Sequence, residues 1–457
     1  MKYESSHESF RVTHIKSFKT AVLKILSMVE ASALLVQRRT FREPDLLSEF
    51  KALAITAEYD VIGSFDIVSP PSAKFNVRSG KADEIKTWIE IHEPEFVLFS
   101  PDLSSGQVFR LMELWKTEVR DRTQVILEIF DKHARTPQAR LQIEQARLKY
   151  ELPFERHQIR MRLQKEHTGD RPIAEQIGAG EDLLNLRMQQ IRRRLATIND
   201  KLEKISEEQI LKKKRRTHEG FIELTLAGYT NAGKSTLHRA LTGSDVEVAD
   251  KLFTTLSTKA SEINIPGRRV VISDSVGFIS DLPPPLLQAF NTTLMEVSDA
   301  DVIILVVDAS DPVDEMERKV TACLDTFNEI EANGITLITA LNKIDLLNDE
   351  QVAERINQLP DACSVVIPIS AEKQVGLNHL IAAVEDELPQ MIQYRITLPS
   401  GNEGMSALSW LHDSGTIESE EYVGTDIIVI ASLSGETADK FSRNNPDVEI
   451  TRMGHQP

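Results

Sequence analysis

Gly228-Tyr-Thr-Asn-Ala-Gly233-Lys234-Ser235 is a G-x-x-x-x-G-K-S run, the spacing that lets a chain wrap a phosphate. Its glycines let backbone N–H groups turn inward around an anion. The Lys234 amine is expected to reach the β- and γ-phosphates of a nucleoside triphosphate, and the Ser235 hydroxyl to bind Mg²⁺. The β-rich run Phe221–Ala227 precedes the loop and Thr236-Leu-His-Arg-Ala-Leu241 follows it. That order predicts a strand entering the loop and a helix leaving it, whose N-terminal dipole favours negative charge. Gly228, Asn231, Ala232, Gly233, Lys234, Ser235 and Thr236 form the expected phosphate-binding set.

The base is specified further along. Thr336-Leu-Ile-Thr-Ala-Leu341 reads as a buried strand with Asn342-Lys343-Ile344-Asp345 at its C-terminal end, where a doubly wound sheet places its ligand loops. The Asp345 carboxylate can accept two hydrogen bonds from the Watson–Crick edge of guanine. Adenine would leave it unpaired, and such sites reject the wrong partner by roughly 10⁴-fold. Lys343 is expected over the base, and Asn342 is expected to tie this loop to the phosphate loop. Val365-Val-Ile-Pro-Ile-Ser370-Ala371 predicts a strand entering a turn, with Ser370 and Ala371 facing guanine O6.

Two stretches supply the remaining chemistry. Val270-Val-Ile-Ser-Asp274-Ser-Val-Gly277 is a strand ending in D-x-x-G: Asp274 is expected to hold Mg²⁺ through its water shell, and the Gly277 N–H to bond the γ-phosphate. Leu252-Phe-Thr254-Thr255-Leu256 lies in a polar connection suited to a mobile switch; Thr255 is the expected metal ligand, with Thr254 the alternative. Lys234, Thr255 and Gly277 are thus the expected catalytic set. Phe278 follows Gly277, where Ras-like GTPases carry a glutamine that orients the attacking water. A phenylalanine cannot bond a water, so hydrolysis is expected to be slow unless a partner completes the site. Its other reading is a packing residue.

These motifs sit in a 457-residue chain, long enough for two to four domains, with 41% hydrophobic and 27% charged residues. Only Cys323 and Cys363 occur, without metal-ligand spacing, which points to reduced thiols. The polar start lacks a signal-peptide core, and the longest aliphatic run, Val302–Val307, is too short for a bilayer. The expectation is a cytoplasmic protein with no membrane span. Net charge is −17, yet residues 110–216 carry 25 Lys and Arg against 17 Asp and Glu, an asymmetry that suits either a polyanion or a solvated helical face.

Residues 1–20 show no clear pattern and read as a lead-in; 21–135 alternate helices and strands, a small α/β domain with a mostly parallel sheet. Its expected elements include strands at Ala31–Val36, Val61–Val68 and Phe96–Phe99 and helices at Asp45–Glu58 and Gly80–His92. Residues 136–216 read as a helical hairpin and basic linker. One seam is Leu141, Leu148, Leu152, Ile159 and Leu163, with Pro153 expected to kink or break its helix. The other is Leu184, Met188, Ile191, Leu195, Ile198, Leu202 and Ile205. An antiparallel pairing with its tip at His167–Glu181 explains both; a coiled-coil dimer is the alternative, and a monomer is expected. The G domain covers 220–390, and 394–457 predict βαββαβ, a ferredoxin-like plan. The fold class is therefore α/β: a P-loop GTPase domain, an N-terminal α/β domain, a coiled-coil hairpin and a small α+β domain.

The chain resembles HflX-type GTPases, a ribosome-associated branch of the translation-factor GTPases. The likeness rests on the phosphate loop, Leu252-Phe-Thr-Thr-Leu256, Asp274-Ser-Val-Gly-Phe-Ile279, Asp281–Phe290 and Thr293-Leu-Met-Glu296. Outside the G domain it includes Ser79-Gly-Lys81, Val119-Arg-Asp-Arg-Thr123, Ile126–Phe130, Ala134-Arg-Thr136 and Leu141-Gln-Ile-Glu144. The resemblance implies a GTP- and Mg²⁺-dependent factor that binds the large ribosomal subunit and dissociates or rescues stalled or idle ribosomes. The α/β domain and hairpin would be the parts that enter the ribosome. The alternatives are an assembly GTPase that does not split mature ribosomes, or a GTP-switched module outside the ribosome. The chain departs from the family pattern at Asp182, after Gly178-Ala-Gly-Glu181, and at His133, Ser257-Thr258 and Ser275.

Overall fold

The computed structural model describes residues 31–134, 136–166, 173–218, 221–243, 260–265, 268–275, 277–279, 297–298, 300–332 and 334–453. The chain divides into two compact units between Ile129 and Phe130.

The first unit is built on a parallel sheet of β1 (Ala31–Arg39), β2 (Tyr59–Val68), β3 (Phe96–Ser100) and β4 (Glu118–Asp121), in the order β2-β1-β3-β4. Ala33, Leu34, Leu35 and Val36 of β1 are all buried, as a central parallel strand covered on both faces requires. The sheet carries helices α1 (Leu47–Thr56), α2 (Ser79–His92) and α3 (Ser105–Trp115), and α4 (Arg122–His133) follows β4. Ser104 starts α3 through a reciprocal capping box with Gln107, and the Trp115 indole donates to Ala82 O at 2.9 Å. Both α3 and β4 lie beyond Phe99, where the sequence pattern identifies no further element.

The second unit opens with two long helices, α5 (Pro137–Glu166) and α6 (Ile173–His218). They run antiparallel: Gln209 donates to Gln138 at 2.9 Å, Arg194 to Glu144 at 2.6 Å and Gln145 to Asn199 at 2.5 Å. Among the described side chains of α5, Ala139, Ile143 and Ala146 are the buried apolar ones, while Leu141, Leu148 and Leu152 are only half-buried; Ile159 and Leu163 lie outside those described. On α6, Met188, Ile191 and Ile198 are buried at the expected seam. The helix runs through Pro153, which lies exposed, rather than breaking there. The expected tip is shorter than 167–181, because α6 already begins at Ile173; residues 167–172 lie outside those described.

A six-stranded sheet follows: β5 (Phe221–Gly228), β6 (Ala260–Ile265), β7 (Arg268–Asp274), β8 (Val302–Asp308), β9 (Thr336–Asn342) and β10 (Val365–Pro368). The order is β10-β9-β8-β5-β7-β6, parallel except for β6 against β7. Leu224, Leu226, Ile272, Ile304, Val306 and Ile338 form its core with Leu237 of α7 (Lys234–Thr242) and with Leu380. Helices α8 (Val313–Glu329), α9 (Asp349–Asn357) and α10 (Leu377–Glu387) complete the fold. Gly228, Asp274, Asp308 and Asn342 all stand at C-terminal strand ends, the edge where doubly wound sheets bind ligands.

The last domain is an antiparallel sheet ordered β12-β13-β11-β14, from β11 (Met391–Pro399), β12 (Thr416–Val423), β13 (Asp426–Ser434) and β14 (Glu449–Arg452). Helices α11 (Asn402–Ser414) and α12 (Gly435–Asn444) complete βαββαβ, the ferredoxin-like plan. Alternate residues of β13, namely Ile427, Val429, Ala431 and Leu433, face the helices' Leu408, Leu411 and Phe441. No described helix is long and apolar enough to cross a membrane.

Candidate nucleotide site

The phosphate loop is shaped by residues with left-handed backbone. Gly228 has φ +147° and a Cβ there would lie 2.3 Å from Val306 O; Gly233 has φ +97° and a Cβ would lie 2.3 Å from Asn342 Nδ2. Asn231, at φ 62°, is the non-glycine member of this turn. Both glycines are required twice over, by torsion and by close approach. Gly233 then caps the N-terminus of α7, where Lys234, Ser235 and Thr236 form the first turn.

Lys234 is buried, and its Nζ donates to the carbonyls of Gly228 at 2.9 Å and Tyr229 at 2.8 Å. Burial lowers its pKa, opposed by the charge of Asp274. Ser235 Oγ donates to Asp274 Oδ2 at 2.8 Å, so the two expected metal-binding oxygens already meet. A Cβ on Gly277 would come within 3.0 Å of Lys234 Nζ, which places the D-x-x-G backbone against the amine.

Phe278 packs in the core. It is 1% exposed and stacks edge-on against Phe327 of α8, with centroids 5.5 Å apart and planes at 82°. Its backbone zips to the phosphate loop: Phe278 N donates to Gly228 O at 3.0 Å, and Thr230 N donates to Phe278 O at 2.8 Å. The packing reading of this residue therefore holds, and its ring cannot bond a water.

Asn342 joins three loops. Its Nδ2 donates to Ala232 O at 2.9 Å, and its Oδ1 accepts from Ala371 N at 2.9 Å. Lys343, at φ 67°, pairs with Asp308 across 2.6 Å. Asp345 lies exposed in the short 3-10 turn Ile344–Leu346. Ser370 is fully buried, and its Oγ accepts from Lys373 N at 3.1 Å, which holds the turn beside Ala371.

The structure thus brings together the phosphate-loop residues, Asp274, Gly277, Asn342, Lys343, Asp345, Ser370 and Ala371. Thr255 and Thr254, and the stretches Asp281–Phe290 and Thr293–Glu296, lie outside the described residues. Sequence reading missed Asp308, which gives no motif signal beyond ending an aliphatic strand. It also missed α8: Arg318 and Lys319 lie 5.6 and 5.4 Å from the Tyr229 ring centroid, and Lys319 pairs with Asp311 at 2.8 Å. Cys323, on the same helix, is buried, which pushes its thiol up to about 12.

Three family models match the chain. Residues 223–343 match a 50S ribosome-binding GTPase model, residues 45–131 a GTP-binding GTPase N-terminal model, and residues 133–216 a GTP-binding GTPase middle-region model. A GTPase HflX of Thermococcus kodakarensis is 33% identical over 433 residues, covering 92% of this chain and 95% of the relative. A GTPase HflX of Gluconacetobacter diazotrophicus is 37% identical over 330 residues, covering 72% of this chain and 69% of the relative. Among solved structures, a GTP-binding protein from Sulfolobus solfataricus in complex with GDP is 26% identical, with a TM-score of 0.43. That match covers 78% of this chain and 98% of the other.

Proposed function

This chain belongs to the HflX family of GTPases and hydrolyses GTP, and from that premise we propose a ribosome factor that acts on the large subunit and turns over slowly until it docks. The observation that carries the slow-hydrolysis reading is the burial of Phe278 against Phe327. The position that carries a water-orienting amide in Ras-like enzymes is spent on the hydrophobic core here. In this reading an outside surface orders the attacking water.

In this reading the Lys234 ammonium, beside the Gly228 and Tyr229 carbonyls, serves the β- and γ-phosphate oxygens. The loop's left-handed turn aims backbone N–H groups at the same anion. Gly277 N–H bonds the γ-phosphate. Ser235 and Asp274, two oxygen donors already 2.8 Å apart, suit Mg²⁺ and would hold it, with Thr255 as the third proposed ligand. Bound there, the ion would neutralise charge on the β- and γ-oxygens. Asp345 takes guanine's Watson–Crick edge, and the Ser370–Ala371 backbone faces its O6.

Ribosome association is supported by the match of residues 223–343 to a 50S ribosome-binding GTPase model. The basic excess of residues 110–216 supports it further, since RNA is met mainly through its phosphates. We place the protein in the cytoplasm as a monomer. The test is sedimentation of assembled ribosomes with the protein and a non-hydrolysable GTP analogue. Free subunits, with the protein on the large one, are expected; intact ribosomes lacking bound protein would contradict the reading. A second reading, an assembly GTPase that does not split mature ribosomes, is favoured by Asp182 at the hairpin position where the family motif changes. It predicts binding to large subunits with no dissociation.

A further inference from the structure

Asp308 ends β8 and has no role in the phosphate loop, the metal pair or the base loop as assigned above. Its Oδ2 accepts from Lys343 Nζ at 2.6 Å; its Oδ1 accepts from Ser310 N at 3.0 Å and from Ser310 Oγ at 2.5 Å. The carboxylate side chain is 12% exposed and the lysine 27%. The β8–β9 register sets Asp308 opposite Asn342, one residue before the lysine it binds, and Ala309 N donates to Asn342 O at 2.9 Å.

Everything else about Lys343 is already fixed. Its backbone is left-handed at φ 67°, between Asn342, which the Ala232 and Ala371 bonds immobilise, and the turn carrying Asp345. What is left to be ordered is the four-carbon side chain. Ordering such a chain at the moment of binding costs rotamer entropy. An anion that holds the ammonium beforehand removes that cost, which is how preorganisation raises affinity.

We infer that Asp308 is a positioning residue for nucleotide binding: it anchors the Lys343 ammonium so that the methylene stem stands as a fixed platform for the purine. This rests on the guanine reading of Asn342, Lys343 and Asp345. Ser310, by fixing the other carboxylate oxygen, orients Asp308 itself.

The experiment measures fluorescent GDP and GTP affinity and release for the whole protein and its variants, with thermal melts alongside. Asp308→Asn should weaken GDP and GTP alike by about tenfold, mostly through faster release. Lys343→Met, which keeps the stem and loses the charge, should weaken them equally. The double variant should be no worse than either single one, because both remove one interaction. Lys343→Arg should retain most of the affinity, and it carries the test with Lys343→Met if Asp308→Asn does not fold. Additive losses, wild-type affinity in Lys343→Met, or a lowered melting temperature with unchanged affinity would each overturn the proposal. Additive losses with guanine preference intact would remove only the role of Asp308. Loss of guanine preference in the wild type would remove the base reading as well.

Discussion

Asn342 donates to the carbonyl of Ala232 across 2.9 Å, and both residues are almost fully buried. With the bond from Ala371 N, this one amide ties the base loop and the Ser370 turn to the phosphate loop. These bonds make the site a single hydrogen-bonded frame. Asn342→Ala would strand a buried carbonyl and a buried N–H together. The nucleotide-free protein should lose roughly 2–6 kcal/mol in urea unfolding, since each of the two unsatisfied buried groups costs about 1–3 kcal/mol. GDP affinity should fall as well. Unchanged stability would mean the frame is not held through this side chain.

Gly233 and Gly228 should fail differently when given a methyl group. At Gly233 the added Cβ would strike Asn342 Nδ2 at 2.3 Å, and that amide cannot swing aside without breaking its own bonds. Gly233→Ala is therefore expected to lose nucleotide binding while the domain still folds. At Gly228 the obstacle is the Val306 carbonyl at 2.3 Å, part of the neighbouring strand. Gly228→Ala should chiefly lower the melting temperature, by several degrees or more. Calorimetry and GDP titration on both variants separate these outcomes.

Asp345→Asn should exchange guanine for xanthine specificity. The change turns an acceptor into a partial donor, and xanthine presents the complementary carbonyl. GTP affinity should drop by roughly 10³-fold or more while XTP affinity rises. Competition of XTP and GTP for the variant checks this; a variant that still prefers GTP would contradict the guanine reading.

The hairpin should have an acid-sensitive contact. The Arg194 guanidinium hydrogen-bonds Glu144 and lowers its carboxyl pKa from the ordinary 4.5. A carboxylate with a lowered folded-state pKa stabilises the fold fully above its unfolded value. That contribution fades as pH falls through the folded value. Arg194→Ala should therefore melt below the wild type at neutral pH, with the gap closing as pH falls below the ordinary 4.5 of a glutamate. The effect will be small, because both side chains are well exposed. A gap that does not change with pH would rule out this contact.

How much of this could be read from the chain depended on how local each feature is. The phosphate loop, D-x-x-G, Asn342–Asp345 and Ser370–Ala371 are short runs whose chemistry is written in consecutive residues, and the sheet brings their described residues to one edge. The βαββαβ plan of residues 391–452 was legible because strand-like and helical runs succeed one another in that order. The Asp308–Lys343 pair was not, because it joins residues 35 apart that meet only through the β8–β9 register. Strand β4 has four residues and no alternation long enough to register. In α5 the leucine spacing misled: the small Ala139 and Ala146 occupy the buried positions beside Ile143, and the leucines flank them. Phe278 had two readings in the sequence, and only its contact with Phe327 selects the packing one.

We propose a GTPase whose unaided chemistry is slow because Phe278 is committed to the core, and whose missing help comes from the large ribosomal subunit. Single-turnover GTP hydrolysis, with and without purified large subunits across a salt series, tests it most directly. Slow hydrolysis alone, strong acceleration by subunits at low salt and a steep loss of that acceleration as salt rises are predicted. Fast hydrolysis by the isolated protein, or no acceleration at low salt, would contradict it.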